Sequence, residues 1–326
     1  MFPRKIIKQN KFKRILLKLL NVYAFEKETL NIVNPDYKNQ HRNFAKFNDK
    51  SFNFSQGYLN LTRKINKLDI YFRYTPNVNL WNSSKEWKRI VPNIDKADLI
   101  YTSLISLMES VNFFKKNNSL DINLHLIPDN SYQKFDENLL KITKDYNITV
   151  SIHKTKITGN RGSYLECCDQ AEKADDLIFF IEDDYLFEKN SIEEILISYS
   201  RISTILNTDI IMCPSDYSFF YDSLYKTSLL VGKNYKWRIV NESLLTFIFS
   251  KSIFNNYKDT IRLVGEKENN PFEKPLHELY KKEICIAPIN SLCYHISRGV
   301  PALTENWEDL WNENYKKYLN YKANLQ

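Results

Sequence analysis

Strand-like and helix-like hydrophobic patterns alternate along residues 67–181. Residues 67–73 alternate as a strand does, while apolar residues recur at helical spacing through 97–114. Residues 177–181, Leu-Ile-Phe-Phe-Ile, form a continuous apolar run, which is typical of a strand buried on both faces. The pattern predicts strands at 68–73, 122–127, 148–153 and 177–181, with helices at 97–114, 137–146 and 163–173. This order predicts an α/β fold with a mostly parallel central sheet and helices on both faces.

Glycine is unusually rare, with 6 residues among 326, and this excludes several enzyme classes. The sequence contains no G-x-G-x-x-G dinucleotide fingerprint, no G-x-x-x-x-G-K-[ST] phosphate loop and no G-x-S-x-G nucleophile elbow. H-E-x-x-H is also absent. A standard dehydrogenase, P-loop NTPase, α/β-hydrolase or zincin is therefore not expected. The 5 cysteines form no C-x-x-C pair, which favours reduced thiols in a cytoplasmic protein.

The net charge of +7 is concentrated in residues 1–20, which hold seven cations and no anion. The rest of the chain holds the other 39 of the 46 cations and all 39 anions, so it is formally neutral. A neutral body argues against a nucleic-acid partner. Apolar residues lie between the cations of the arm, a composition that suits the surface of an anionic membrane. A cytoplasmic protein with peripheral membrane contact through this arm is one expectation, and a packed helix or a mobile tail is the alternative.

Three carboxylates, Glu182, Asp183 and Asp184, follow the buried strand directly. Ligands of parallel sheets bind beyond the carboxyl ends of the strands, so chemistry is expected at this point. Adjacent carboxylates repel one another, and such oxygen ligands suit Mg²⁺ or Mn²⁺. Ser191 and Glu194 have the spacing of a capping box, which predicts a helix that would hold the loop in place. A solvated acidic loop is the alternative interpretation.

Residues 175–187, Asp-Asp-Leu-Ile-Phe-Phe-Ile-Glu-Asp-Asp-Tyr-Leu-Phe, resemble the D-x-D region of GT-A fold glycosyltransferases in an E-D-D form. The resemblance extends more loosely over residues 66–300. It implies a Rossmann-like GT-A fold and a metal-dependent enzyme of glycan or polysaccharide synthesis. The substrates would be a nucleotide-sugar donor and a glycan or other hydroxyl acceptor. The cofactor would be Mn²⁺ or Mg²⁺, held by Asp184 and by His295, which follows a late strand.

The same resemblance divides the chain and assigns further site residues. A basic helical extension would occupy 1–60, and a single GT-A-like catalytic domain 61–326, with a donor half at 61–190 and an acceptor half at 191–326. The donor-binding residues would be Arg73, Tyr74, Asp129, Arg161, Glu182 and Asp183. Among them, Arg161 opens a helix, where a guanidinium can meet phosphate.

The catalytic base is left open between Glu273 and Glu278, because the acidic pair usual in that superfamily does not line up here. Inversion is favoured over retention. Two other functions are compatible with the sequence. A metal-dependent nucleotidyl- or phosphotransferase also needs carboxylates on Mg²⁺, although a second carboxylate pair on a neighbouring strand would be expected and none is found. The other is a non-enzymatic protein that binds nucleic acid or a membrane through the basic arm. The neutral charge of the remaining chain argues against this second function.

Overall fold

The computed structural model describes residues 51–54, 57–77, 91, 94–222, 227–296 and 307–325. Residues 1–50 lie outside this description, and with them almost all of the predicted basic extension and its membrane contact. Within the described part, no helix is both long enough and apolar enough to cross a membrane. A short antiparallel hairpin, β1 (Ser51–Phe54) and β2 (Gly57–Asn60), precedes the main fold.

Four parallel strands form one half of a nine-stranded sheet, with the order β5-β4-β3-β6. In chain order these elements are β3 (Lys67–Tyr74), α1 (Lys96–Lys115), β4 (Asp121–Pro128), α2 (Gln133–Thr143), β5 (Thr149–Ile152), α3 (Asn160–Ala171) and β6 (Leu177–Glu182). Helical crossovers impose the parallel direction, because a strand can return parallel to its neighbour only after a long connection. The predicted α/β fold class is confirmed.

The second half of the sheet is mixed in direction. In chain order its elements are β7 (Tyr185–Phe187), α4 (Ser191–Leu206), β8 (Ile211–Met212), β9 (Leu229–Val231), β10 (Lys236–Val240), β11 (Phe247–Ser250), α5 (Lys251–Glu266), α6 (Lys274–Leu279), β12 (Cys285–Pro288), β13 (Cys293–His295) and α7 (Trp307–Leu325). The sheet continues from β6 in the order β11-β8-β12-β10-β9, while β7 and β13 form a separate antiparallel pair. β11 runs antiparallel to β6 and to β8, and β8 runs parallel to β12.

β3 and β6 are neighbours at the centre of the parallel half, and this position determines where a ligand can bind. The chain leaves β3 toward β4 and β5 and then returns to β6 on the other flank. Such a reversal of strand order opens a crevice at the carboxyl ends of the two strands. The register places Arg73 opposite Glu182 at this end. Leu177 to Ile181 are fully buried, as their continuous apolar run predicts.

The predicted capping box at Ser191 and Glu194 is wrong. α4 does begin at Ser191, but the cap residue is Asn190, and the Ser191 hydroxyl donates to the carbonyl of Glu188 at 2.6 Å. The Glu194 carboxylate is buried and accepts hydrogen bonds from the backbone N–H groups of residues 233–235. The Glu194 carboxylate, which the local spacing assigns to the start of α4, therefore binds the loop at residues 233–235 instead.

Candidate functional site

A cavity of about 400 Å³ opens where β3, β4 and β6 end. The start of α3 forms one of its walls. Six residues predicted from the sequence line this cavity, namely Arg73, Tyr74, Asp129, Glu182, Asp183 and Asp184. They come together because the carboxyl ends of adjacent parallel strands meet at the same edge of the sheet.

Arg73 and Glu182 form an ion pair in the cavity wall. Nη2 of Arg73 donates to Oε1 of Glu182 at 2.6 Å, and Nη1 donates to the carbonyl of Asn160 at 3.2 Å. Burial raises the pKa of Glu182, the Arg73 charge opposes this, and the charge of Asp184 adds to it. Arg73 therefore joins β6 to the start of α3 and places a positive charge beside the carboxylates.

Asp183 has protein donors on both of its carboxylate oxygens. Nζ of Lys96 donates to Oδ1 at 2.5 Å, and the backbone N–H of Thr75 donates to Oδ2 at 2.8 Å. These bonds tie the loop after β6 to the end of β3 and to the start of α1. Asp183 thus holds the loop in shape, while its two neighbours face other partners.

Asp184 lies beside His295. Nε2 of His295 is 3.2 Å from Oδ2 of Asp184. The pairing of β13 with β7 places His295 opposite Tyr185, and the two rings stack with their centroids 4.9 Å apart. Burial would raise the pKa of Asp184, but the His295 imidazole outweighs this and holds the pKa below its usual range. An ionised carboxylate oxygen and an imidazole nitrogen therefore meet at the cavity.

The donor set at Asp184 and His295 fits a cation that binds together with a phosphate. Mg²⁺ is usually held by one or two carboxylates and completes its shell with water and substrate phosphates. Within the described residues, no three or more side chains of His, Cys, Asp and Glu are grouped so that they alone could hold a metal ion. The two side chains can thus contribute part of a coordination shell, and a diphosphate would have to supply more of it.

The start of α3 supplies a second feature that suits an anion. Gly159 is the cap residue, has φ of +102° and makes no side-chain cap, and its N–H donates to Oδ1 of Asp129 at 2.9 Å. A Cβ atom on Gly162 would lie 1.7 Å from the carbonyl oxygen of Ile157, so only glycine permits this close approach. The helix start carries a partial positive charge, which favours a phosphate group at this wall.

Arg161 is not among the residues that line the cavity, so the structure places it apart from the predicted phosphate contact. Its Nε donates to the carbonyl of Gly265 at 2.7 Å, and its Nη2 donates to the carbonyl of Glu266 at 2.5 Å. Those carbonyls belong to the last turn of α5, where a cation is favourable. The packing of α3 against α5 therefore directs this side chain away from the cavity.

Glu273 and Glu278 lie in different environments. Burial raises the pKa of Glu273 to about 7, and the nearby charge of Glu182 adds to this effect. Glu278 is 54% exposed and forms an ion pair with Lys281 at 2.6 Å, which lowers its pKa. Glu278 therefore lies in solvent beside Lys281, whereas Glu273 lies close enough to the charged residues of the cavity for Glu182 to affect its pKa.

Tyr74 also lines the cavity. Tyr74 donates its hydroxyl to Oδ1 of Asp136 at 2.7 Å. Sequence reasoning missed Thr75, Lys96 and Asn160, which line the cavity as well. Asn160 directly precedes Arg161, which the sequence places at the start of a helix, so a signal for it existed. Lys96 could be found only by knowing that α1 starts beside the loop after β6.

No family model matches this sequence, and no curated protein matches it. Solved structures with some similarity include UDP-glucose pyrophosphorylase complexed with UDP-glucose, at 12% identity and a TM-score of 0.42, covering 78% of this chain and 99% of that chain. S. aureus TarS 1–349 has 8% identity and a TM-score of 0.43, and the match covers 70% of this chain and 59% of that chain. The inositol-1-phosphate CTP transferase from T. maritima has 12% identity and a TM-score of 0.38, and the match covers 76% of this chain and 96% of that chain.

Proposed function

We propose that this protein is a metal-dependent glycosyltransferase that moves a sugar from a nucleotide-sugar donor to an acceptor hydroxyl. The observation that carries the proposal is the contact of Asp184 with His295, 3.2 Å apart, at the cavity where β3 and β6 end. Two supporting features adjoin it. The start of α3 offers a site for phosphate, and Glu273 offers a carboxyl with a pKa near neutrality.

Mn²⁺ or Mg²⁺ would be held by Asp184 and His295 and would neutralise the charge that develops on the diphosphate leaving group. Asp184 is suited to this position because its carboxylate lines the cavity and lies 3.2 Å from Nε2 of His295. Stacking on Tyr185 fixes the plane of the His295 ring. Asp183 keeps its bonds to Lys96 and Thr75 and holds the loop that carries Asp184.

The donor would lie along the carboxyl ends of β3, β4 and β6. Its phosphates would face the start of α3, where backbone N–H groups and the helix dipole favour negative charge. Arg73 adds a buried guanidinium to the same wall while it stays paired with Glu182. Tyr74 and Asp129 line the part of the cavity at the ends of β3 and β4, and we assign them to the nucleoside.

Glu273 would accept the proton of the acceptor hydroxyl while the hydroxyl oxygen bonds to the anomeric carbon opposite the departing nucleoside diphosphate, and this single displacement would invert the configuration. A hydroxyl is a weak nucleophile, and a positioned base with a pKa near the working pH assists it most effectively. The pKa of about 7 meets that condition. Glu278 is unsuited to this role, because it is exposed and bound to Lys281.

The experiment is a nucleotide panel with the purified full chain. UDP-, GDP- and CMP-sugars, each with Mn²⁺, are screened for an increase in melting temperature, and the stabilising donor is then incubated with hydroxyl acceptors. We expect one donor class to stabilise the protein and to release its nucleotide on transfer. Asp184→Ala should abolish the stabilisation, and Glu278→Gln is the matched control that should retain it.

Two results would overturn the proposal. Pyrophosphate release from a nucleoside triphosphate and a sugar phosphate, without transfer from any nucleotide sugar, would establish a nucleotidyltransferase. Stabilisation by DNA and by none of the nucleotide sugars would point to a binding protein without this chemistry.

A further inference from the structure

A second cluster of polar side chains lies on the parallel half of the sheet, apart from the described lining of the cavity. The register aligns Tyr71, His125 and Ser151 in one row across β3, β4 and β5. Asp69 stands two residues before Tyr71, and His153 stands two residues after Ser151. Residues two apart on a strand share a face, so one face of the sheet collects all of these side chains.

Three potential ligand atoms converge in this cluster. Nδ1 of His125 is 3.1 Å from Nε2 of His153. Oγ of Ser151 is 3.0 Å from Nδ1 of His125 and 2.8 Å from Nε2 of His153. Two imidazole nitrogens bound to one tetrahedral zinc ion at about 2.0–2.1 Å are about 3.3 Å apart. The triangle of atoms therefore has nearly the size of one face of a coordination shell.

Asp69 orients the His125 ring toward this triangle. Nε2 of His125 is 3.1 Å from Oδ1 of Asp69, and a carboxylate can only accept, so Nε2 donates to Asp69 and a neutral ring presents the lone pair of Nδ1 to Ser151 and His153. The ring of Tyr71 stacks on the imidazole at 4.5 Å and fixes its plane. A carboxylate behind a histidine is the usual support of a metal-binding imidazole.

Asp69 accepts hydrogen bonds on Oδ1, from His125 and from Nδ2 of Asn123 at 3.0 Å. The residue is 2% exposed, and its Oδ2 has no hydrogen-bond partner within the part of the chain that the structure describes. A buried carboxylate with an unpartnered oxygen is costly. A cation bound on the far side of the His125 ring would reduce this cost.

We propose that His125 Nδ1, His153 Nε2 and Ser151 Oγ bind a transition-metal cation of the Zn²⁺ class. Imidazole ligands favour Zn²⁺ and Cu²⁺, whereas carboxylates and water favour Mg²⁺, so this site differs in selectivity from the one at Asp184. Solvent reaches the cluster, since the His125 side chain is 18% exposed, and water can complete the shell. The bound ion would fasten the edge strand β5 to β4.

Calorimetric titration of the full chain with Zn²⁺ tests the proposal. A His295→Gln background removes the imidazole of the cavity site. In that background we expect one cluster-dependent Zn²⁺ per chain and an increase in melting temperature. His125→Gln and His153→Gln should each weaken this binding at least tenfold. His277→Gln is the matched control, because His277 lies outside the cluster, with Nε2 3.3 Å from the carbonyl of Ser243. It should leave the affinity unchanged.

Cobalt supplies a readout that a purely structural role would not change. Co²⁺ bound through imidazole nitrogens absorbs visible light, and these bands should appear in the background protein and be absent in His153→Gln. Circular dichroism checks that each variant is folded. Should His125→Gln fail to fold, His153→Gln and Ser151→Ala decide, since both leave the Asp69–His125 pair in place. Unchanged Zn²⁺ affinity and unchanged cobalt bands in the folded His153→Gln variant would overturn the proposal.

Discussion

Glu273→Gln is expected to lower turnover by about 10²–10⁴-fold while leaving donor affinity nearly intact, the usual worth of a general base. The substitution keeps the size of the side chain and removes its ability to take a proton. With a pKa of about 7, Glu273 is about one-tenth ionised at pH 6 and about nine-tenths ionised at pH 8. The wild-type kcat/KM should therefore increase about tenfold over this interval, with its midpoint near pH 7.

The assay measures initial rates of nucleotide release from the stabilising donor between pH 5.5 and 8.5, at donor concentrations well below KM, because kcat/KM reports the pKa of a base in the free enzyme. Calorimetry gives donor affinity in parallel. Glu278→Gln is the control, since it makes the same chemical change on an exposed side chain of α6. That variant should keep the wild-type rate and pH profile. Wild-type turnover in Glu273→Gln would refute the assignment and point to another base or to a retaining mechanism.

The same carboxyl should reduce stability at high pH. Its folded pKa of about 7 exceeds the ordinary value of 4.5, so the folded state binds the proton more tightly than the unfolded state. Its contribution to stability is then complete below about pH 4.5 and is lost as the pH rises through 7. At about 1.4 kcal/mol for each pKa unit, the shift of about 2.5 units limits the loss at pH 8 to about 3.5 kcal/mol, and partial exposure reduces it. Glu273→Gln should therefore raise the melting temperature at pH 8 and change it little near pH 4.5.

Three further substitutions or deletions test other parts of the structure. Asp184→Ala should abolish Mn²⁺-dependent binding of a nucleoside diphosphate in calorimetry while circular dichroism stays unchanged, and undiminished affinity would remove it as a metal ligand. Gly162→Ala should cost about 1–3 kcal/mol in denaturant unfolding and weaken donor binding, because its Cβ would lie 1.7 Å from the Ile157 carbonyl oxygen, and equal stability would contradict the packing argument. Deletion of residues 1–20 should abolish salt-sensitive sedimentation with anionic liposomes, and equal sedimentation of the shortened chain would exclude the arm as a membrane contact.

The hydrophobic patterns of the sequence locate the strands and helices of the parallel half of the sheet to within a few residues. Crossover helices and a buried apolar strand leave strong periodic signals, because each element buries one face or both faces within a short segment. The carboxylates after β6 follow from the same logic, since a strand end in a parallel sheet is a place where ligands bind. The choice between Glu273 and Glu278 does not follow from the sequence, because the two residues stand five positions apart and differ only in burial and in their neighbours.

The sequence by itself determined the α/β class, the strand that delivers Glu182 to Asp184 and the loop that opens α3, all of which depend on interactions between residues close in the chain. Tertiary structure decided which side chains meet. It brought His295 to Asp184, turned Arg161 toward α5 and gave Glu194 to the loop at 233–235. Such partners are separated by tens to more than a hundred residues, and strand pairing and helix packing select them. Local periodicity carries no information about these contacts, because it is set within one or two turns of helix or a few residues of strand.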